Sequence, residues 1–212
     1  MRDLTTKVSS TLLLLLFRLP DRVVSWIKSS LISHQNGWPD FFVHHTARIF
    51  GQNYISLAPG FRAGRGLWMQ AIYSYCQVSY APRLVIGALF GCSDYVHIAC
   101  SCSVVIGEHV LVGSHVLITD HMHGGYSGNN VHSDPLSVPI TRPLVGRSVQ
   151  IGDRVLIGDS VRILPGSVIG SGCIIACNSV VNSILPANSI CGGTPARPIK
   201  AFDEAAKCWR RE

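Results

Sequence analysis

The stretch HVLITDHMHGGYSGNNVHSDP, residues 115–135, packs four histidines and three glycines into twenty-one positions. Histidine has an ordinary pKa of about 6.5, so it can take a proton from an alcohol or an amine at neutral pH. His121 and His123 are therefore the candidate general bases, and Asp120 is placed to orient an imidazole or raise its basicity. A polar surface loop with incidental histidines would carry the same residues, so the flanking elements must decide. His109, His115 and His121 recur at six-residue spacing. In a coiled chain such positions fall on successive faces rather than on one edge, which argues against a metal cluster. Cys100 and Cys102 beside His97 lack the ligand spacing of a known zinc class, and no metal is expected.

The flanking elements are announced by a repeat. Ile151, Ile157, Ile163, Ile169, Ile175 and Val181 follow one another at strict six-residue spacing. Two positions before each sits a small or β-branched residue, as at Val149, Ser167 and Cys173, and glycine follows at Gly152, Gly158 and Gly170. The same beat runs through Ile86, Cys92 and Ile98 and through Ile106, Val112 and Ile118, and more faintly through Ile49, Ile55, Phe61 and Leu67. Neither a helical period nor simple strand alternation produces it. One large inward aliphatic, one small inward neighbour and a turn describe one side of a triangular coil. Three such units close an eighteen-residue turn of a parallel β-helix, and about six turns are available. Glycine is expected to accommodate the tight corners.

Two segments break the beat. LWMQAIYSYCQVSYAPRL, residues 67–84, is aromatic-rich and is predicted to leave the prism as a hairpin or widened turn. Residues 121–143 are predicted to protrude, and a loop of that length in a regular solenoid points to function.

The ends are predicted to be helical: residues 1–45 before a β-helix domain spanning 46–198, and a terminal helix over 199–212. The run TLLLLLFRLP is too short to cross a membrane, which takes roughly twenty residues, and no small-residue cleavage site follows it. Two short helices are expected instead, the second starting at Pro20 with Val23, Val24, Ile27 and Leu31 on one face. That face either packs on the main domain or rests on a membrane as a cationic interfacial helix. Beyond Pro198, Ile199, Phe202, Ala206 and Trp209 read as the stripe of the last helix, with Asp203 and Glu204 in its first turn and Lys207 and Arg210 in its last.

A chain of 212 residues, 47 % hydrophobic, builds a sizeable core and is not a disordered protein. Its excess of basic over acidic residues, 18 − 12 = +6, is moderate, and the chain has no Lys/Arg run long enough for a nucleic-acid arm, so nucleic acid is not an expected partner. The eight cysteines are scattered, several at core positions, which suits free thiols in a reducing cytoplasm.

The repeats, together with VHIACSCSVVIGEHVLVGSHVLITDHMHGGY, IGDRVLIGDSVRILPGSVIG and CGGTPARPIK, resemble the hexapeptide-repeat acyltransferases over roughly residues 45–200. Within that superfamily the chain looks most like the branch that O-acetylates sugars of bacterial surface polysaccharide. The resemblance implies an all-β, left-handed parallel β-helix that assembles as a homotrimer and uses acetyl-CoA. It implies that a loop histidine, His121 or its rival His123, is the general base toward a sugar hydroxyl. Coenzyme A would lie between prisms along Gly158, Asp159, Cys177 and Asn182, with Arg197 and Lys200 meeting its phosphates. Asp94 and His97, and in the loop Tyr126 and Arg142, are the implied acceptor-binding residues. Two departures stand out: Leu156 occupies the place of a tryptophan in many relatives, and NSI at residues 182–184 replaces a common Thr-Lys-Asp. The chain is expected in the cytoplasm, held near the inner membrane face by its amino-terminal helices. An N-acetyltransferase of a nucleotide-linked amino sugar and a non-catalytic β-helix scaffold are the alternatives.

Overall fold

The computed structural model describes residues 20–126 and 132–211, and the first of the two expected amino-terminal helices lies outside them. The chain winds through three parallel sheets in turn. One contains Phe42–Val43, Arg62–Ala63, Gly91–Cys92, Leu111–Val112, Leu156–Ile157, Ile174–Ile175 and Ser189–Gly193. The second contains Arg48–Phe50, Trp68–Ala71, His97–Cys100, Leu117–Thr119, Arg162–Ile163 and Val180–Val181. The third runs from Ile55–Leu57 to Ile184–Leu185. The result is a parallel β-helix, as the repeat predicts, and of the left-handed kind that the resemblance implies.

Register explains why the spacing must be strict. Met69 pairs with Ile98, Ile98 with Ile118, Ile118 with Ile163 and Ile163 with Val181, so each inward side chain stacks on the one below. Every member of this column is fully buried, and the faint positions Phe61 and Leu67 are as well. A one-residue slip would turn the whole column outward.

Gly66, Gly166 and Gly172 sit at left-handed corners as expected, but the glycines that directly follow the stacked aliphatics, such as Gly107 and Gly113, have a different role. The corners turn two residues later, at His109 (φ 57°), His115 (φ 58°), Arg154 (φ 56°) and Ser160 (φ 59°), all left-handed without being glycine. What excludes a side chain at Gly113 is close approach: a Cβ there would stand 2.2 Å from the Asp159 carboxylate of the next coil. That carboxylate accepts the Ser114 N–H at 2.7 Å, and Asp153 does the same for Glu108 at 3.0 Å. Each turn is thus braced by the coil above it.

Both ends depart from prediction. Helix α1 (Asp21–Asn36) begins after Pro20 as expected, but it does not pack through Val23 and Leu31. Its buried residues are Ser25 and Ser29. Ser29 Oγ takes the Val43 N–H at 2.9 Å and donates to the Val43 carbonyl at 3.1 Å, Ser25 Oγ accepts the His45 N–H at 2.9 Å, and Lys28 Nζ donates to the His45 carbonyl at 2.7 Å. The first coil presents unpaired backbone groups, and hydroxyls satisfy them where aliphatic side chains cannot. Trp26 and Leu31 are left 64 % and 68 % exposed.

At the other end the described residues form no helix. Strands Ala196–Asp203 and Cys208–Arg211 form an antiparallel hairpin on Ser189–Gly193. Phe202 and Trp209 are cross-strand partners with ring centroids 5.2 Å apart, so a seven-residue interval that reads as helical is a pair across a turn. Asp203 Oδ1 accepts the N–H groups of Ala205 and Ala206 and fixes that turn. No disulfide joins the cysteines of the described residues. Among the described residues no helix is long and apolar enough to cross a membrane.

Candidate active site

Strand Leu117–Thr119 belongs to the regular second sheet, and at Asp120 the beat lapses. His121–His123 leaves the prism and pairs antiparallel with Leu144–Gly146, with His121 opposite Gly146 and His123 opposite Leu144. The protrusion therefore springs from a short ribbon whose register fixes where both histidines stand. The other interruption meets it: Ser74–Tyr75 and Val78–Ser79 form the expected hairpin, whose Tyr75 hydroxyl donates to the Ile140 carbonyl at 2.8 Å. Tyr80 Oη accepts the Leu144 N–H at 2.8 Å.

Asp120 is 0 % exposed. Its Oδ1 accepts the Ser101 N–H at 2.9 Å, its Oδ2 accepts the Cys102 N–H at 2.8 Å, and His121 Nδ1 lies 2.8 Å from Oδ1. Burial pushes the Asp120 carboxyl upward. The His121 hydrogen bond, the two backbone donors and the charge of His121 outweigh it and hold the group below the ordinary carboxylate range. A carboxylate only accepts, so the proton on the facing imidazole nitrogen sits on Nδ1, and Nε2 is the basic nitrogen of His121. His123 has an aromatic neighbour instead: Tyr75 meets it edge-on at 5.0 Å between centroids.

Both histidines line a cavity of about 490 Å³, with Thr119, His97, Gln70 and Trp68 farther along the second sheet. His97 stacks on Trp68 at 4.4 Å and 11°, and its Nε2 is 3.4 Å from Gln70 Nε2. Burial, and then the nearby His121, lower the His97 pKa and keep the ring neutral. Cys100 lies beneath with its thiol pushed up by burial, which makes it a packing residue and no nucleophile.

The other implied acceptor residues are not brought to the cavity lining. Asp94 accepts the Arg65 N–H at 2.7 Å and braces a turn. Tyr126 donates to the His123 carbonyl at 2.5 Å, and Arg142 staples the protrusion, donating to Tyr126 Oη at 2.7 Å and to the Ser137 carbonyl at 2.7 Å. Both shape the loop from outside. Of the residues implied for coenzyme A, Asp159 braces a turn and Gly158 admits Cys177, whose Sγ would stand 2.8 Å from a Cβ there. Cys177, Asn182, Arg197 and Lys200 are exposed on the last coils and the terminal hairpin. Sequence patterns do not single out Trp68 and Gln70, because both fall in a segment that reads as leaving the prism. They belong to Trp68–Ala71, in register with His97–Cys100.

Two further groupings carry no such chemistry. Asp21, His44 and His45 place one donor atom each within 4.8 Å of one another where α1 meets the first coil, outside the cavity, and Arg65 stands 3.5 Å from the same Asp21 carboxylate. An apolar hollow of about 280 Å³ between Arg22, Val23, Trp26 and Phe42 offers no base.

Residues 148–183 match the bacterial transferase hexapeptide (six repeats) family. The chain is 43 % identical over 161 residues to the Escherichia coli (strain K12) protein named "Putative lipopolysaccharide biosynthesis O-acetyl transferase WbbJ", covering 74 % of this chain and 76 % of that one. The chain belongs to the hexapeptide-repeat transferases. As such it is an acyltransferase. Another relative in the family is the galactoside O-acetyltransferase of the same organism, 28 % identical over 144 residues, 68 % of this chain and 65 % of that one. Two solved structures share the fold of this transferase. The Vibrio cholerae hexapeptide-repeat acetyltransferase VCA0836, complexed with acetyl coenzyme A, aligns over 90 % of this chain and 83 % of that one with a TM-score of 0.51 and 21 % identity. A point mutant of the Bacillus cereus N-acyltransferase AntD, in complex with dTDP and coenzyme A, aligns over 80 % and 84 % with a TM-score of 0.56 and 19 % identity.

Proposed function

We propose that this transferase moves acetyl from acetyl-CoA to a sugar hydroxyl of a bacterial surface polysaccharide or its precursor, with His121 as general base. The observation that carries the reading is the buried Asp120 carboxylate on His121 Nδ1 at the head of a cavity. Asp120 fixes the tautomer and stabilises the imidazolium that forms, as orienting carboxylates do elsewhere. His121 Nε2 accepts the hydroxyl proton, the sugar oxygen bonds to the acetyl carbonyl carbon, and the C–S bond breaks as coenzyme A departs as thiolate. The imidazolium then returns its proton to the thiolate. The name of the 43 % identical relative supports O-acetylation of a lipopolysaccharide component. The exposed Arg197 and Lys200 suit the phosphates of coenzyme A, held between neighbouring prisms of a homotrimer.

The test is thiol release from acetyl-CoA by purified protein with a panel of sugars, repeated with His121→Ala and His123→Ala. Loss of activity in His123→Ala alone would move the base to His123. Transfer only to amino groups of nucleotide-linked sugars would favour the N-acetyltransferase reading, which the AntD likeness in fold suggests. Absence of transfer to every acceptor would leave a scaffold.

The enzyme acts in the cytoplasm, and the outward Val23, Trp26 and Leu31 of α1, with Arg22 beside them, rest on the inner membrane surface. Trp26→Ser with Leu31→Ser should release the protein from anionic vesicles; unchanged co-sedimentation refutes the attachment.

A further inference from the structure

Resting on the sugar O-acetyltransferase reading above, we propose that the acceptor site takes at least two linked sugar residues: the reacting one at His121 and a second one beyond it, against Trp68, His97 and Gln70. The acceptor is thus a glycan chain rather than a nucleotide-linked monosaccharide.

Length is the first argument. Gln70 pairs with Ala99 and Ala99 with Thr119, so the floor of the cavity crosses two strand spacings, about 9.5 Å, before it reaches the corner that carries His121. That is longer than one pyranose ring. The floor is also hollowed, because Ala99 brings only a methyl between the Gln70 amide and the Thr119 hydroxyl. The cavity of about 490 Å³ falls within the usual range for small-molecule sites, and a single sugar at His121 would leave its far end empty.

Chemistry is the second. The far end presents an indole 42 % exposed, an imidazole stacked on it and a primary amide. One face of the Trp68 indole is closed by His97, Arg48 is its partner in register on the opposite side, and the ring keeps 42 % of its surface exposed. A sugar ring has apolar C–H surfaces and a rim of hydroxyls, which match an aromatic wall beside amide and imidazole partners. The cavity lining includes no lysine or arginine among the described residues. A nucleotide-linked sugar brings a diphosphate that calls for cations, and the nearest cation in register, Arg48, stands one strand beyond Trp68 and outside the cavity lining.

The experiment uses the full chain, acetyl-CoA and three acceptor sets: methyl glycosides of galactose, glucose, mannose, rhamnose and N-acetylglucosamine; di- and trisaccharides ending in the same sugars; and UDP- and dTDP-linked sugars. The expected result is a kcat/KM about tenfold or more higher for an oligosaccharide than for its own terminal glycoside. Trp68→Ala should raise KM for the oligosaccharide about tenfold while kcat stays within about twofold, the pattern of lost uniform binding, and Trp68→Phe should restore most of it. Equal kcat/KM for short and long acceptors, preference for nucleotide-linked sugars, or an unchanged KM in Trp68→Ala overturns the second subsite and leaves sugar acetylation standing. No transfer to any sugar overturns both. Should Trp68→Ala fail to fold, the wild-type comparison of acceptor length and the Trp68→Phe kinetics decide.

Discussion

The regular coils and the place where they lapse obey different rules. Between residues 148 and 183 each side chain is dictated by its position in a repeat: an aliphatic residue must stack on the one below, and a glycine must admit the backbone or side chain of the coil above. Among the described residues from Asp120 to Gly146, side chains answer to individual partners rather than to a place in a repeat. Asp120 answers to two backbone N–H groups and one imidazole, Arg142 to Tyr126 and Ser137, and Tyr75 to Ile140. Regularity makes the prism stiff, and the lapse uses that stiffness to hold one imidazole at a chosen corner.

Substitutions that separate catalysis from stability test this contrast. His121→Ala should lower kcat by about 10²- to 10⁴-fold while the melting temperature hardly moves, and His123→Ala should stay within about tenfold of wild type. Asp120→Asn should cost both properties. Its amide offers one acceptor where Ser101 and Cys102 need two, so about 1–3 kcal/mol of stability is lost, and the rate falls by up to the factor lost in His121→Ala. Denaturant titration and steady-state kinetics on the same preparation read the two effects.

A coil substitution should do the reverse. Ile169→Ala removes a buried rung side chain on the third sheet and should cost about 2–5 kcal/mol by denaturant titration, with kcat/KM of the folded protein unchanged. A large fall in kcat would show that the coils tune the site as well as support it. The smallest effect concerns pH. An unfolded histidine binds its proton near 6.5, whereas burial delays protonation of His97 in the folded state to lower pH. Between those two values the unfolded chain holds more protons, so stability should fall as pH falls below about 6.5, and His97→Gln should flatten that slope.

The same contrast explains what can be read in advance. The column of Ile98, Ile118 and Ile163 is legible because stacking imposes a period, and a period survives without coordinates. His121 is legible by residue type and by where the beat stops. Asp94, Tyr126 and Arg142 have suitable chemistry for a sugar, but their partners are a turn and the loop itself, and partnership has no spacing. Trp68 is hidden because its own run of sequence is irregular; only the register with His97 reveals its place. The terminal hairpin reads as a helix because Phe202 and Trp209 meet equally well on one face of a helix or opposite each other across a turn. In α1 the serines carry no signal of their own, because the unpaired edge they satisfy belongs to another segment.

The two closures of the prism also govern how copies of the chain can meet. A stack of parallel rungs is a template that a second molecule could extend indefinitely. On the first sheet the lowest strand is covered by the hydroxyls of Ser25 and Ser29, and the topmost is extended by a hairpin whose outer strand carries Arg210 and Arg211. On that sheet a second copy would meet a serine-capped edge at one pole and an arginine-bearing strand at the other, so stacking along the axis is opposed there.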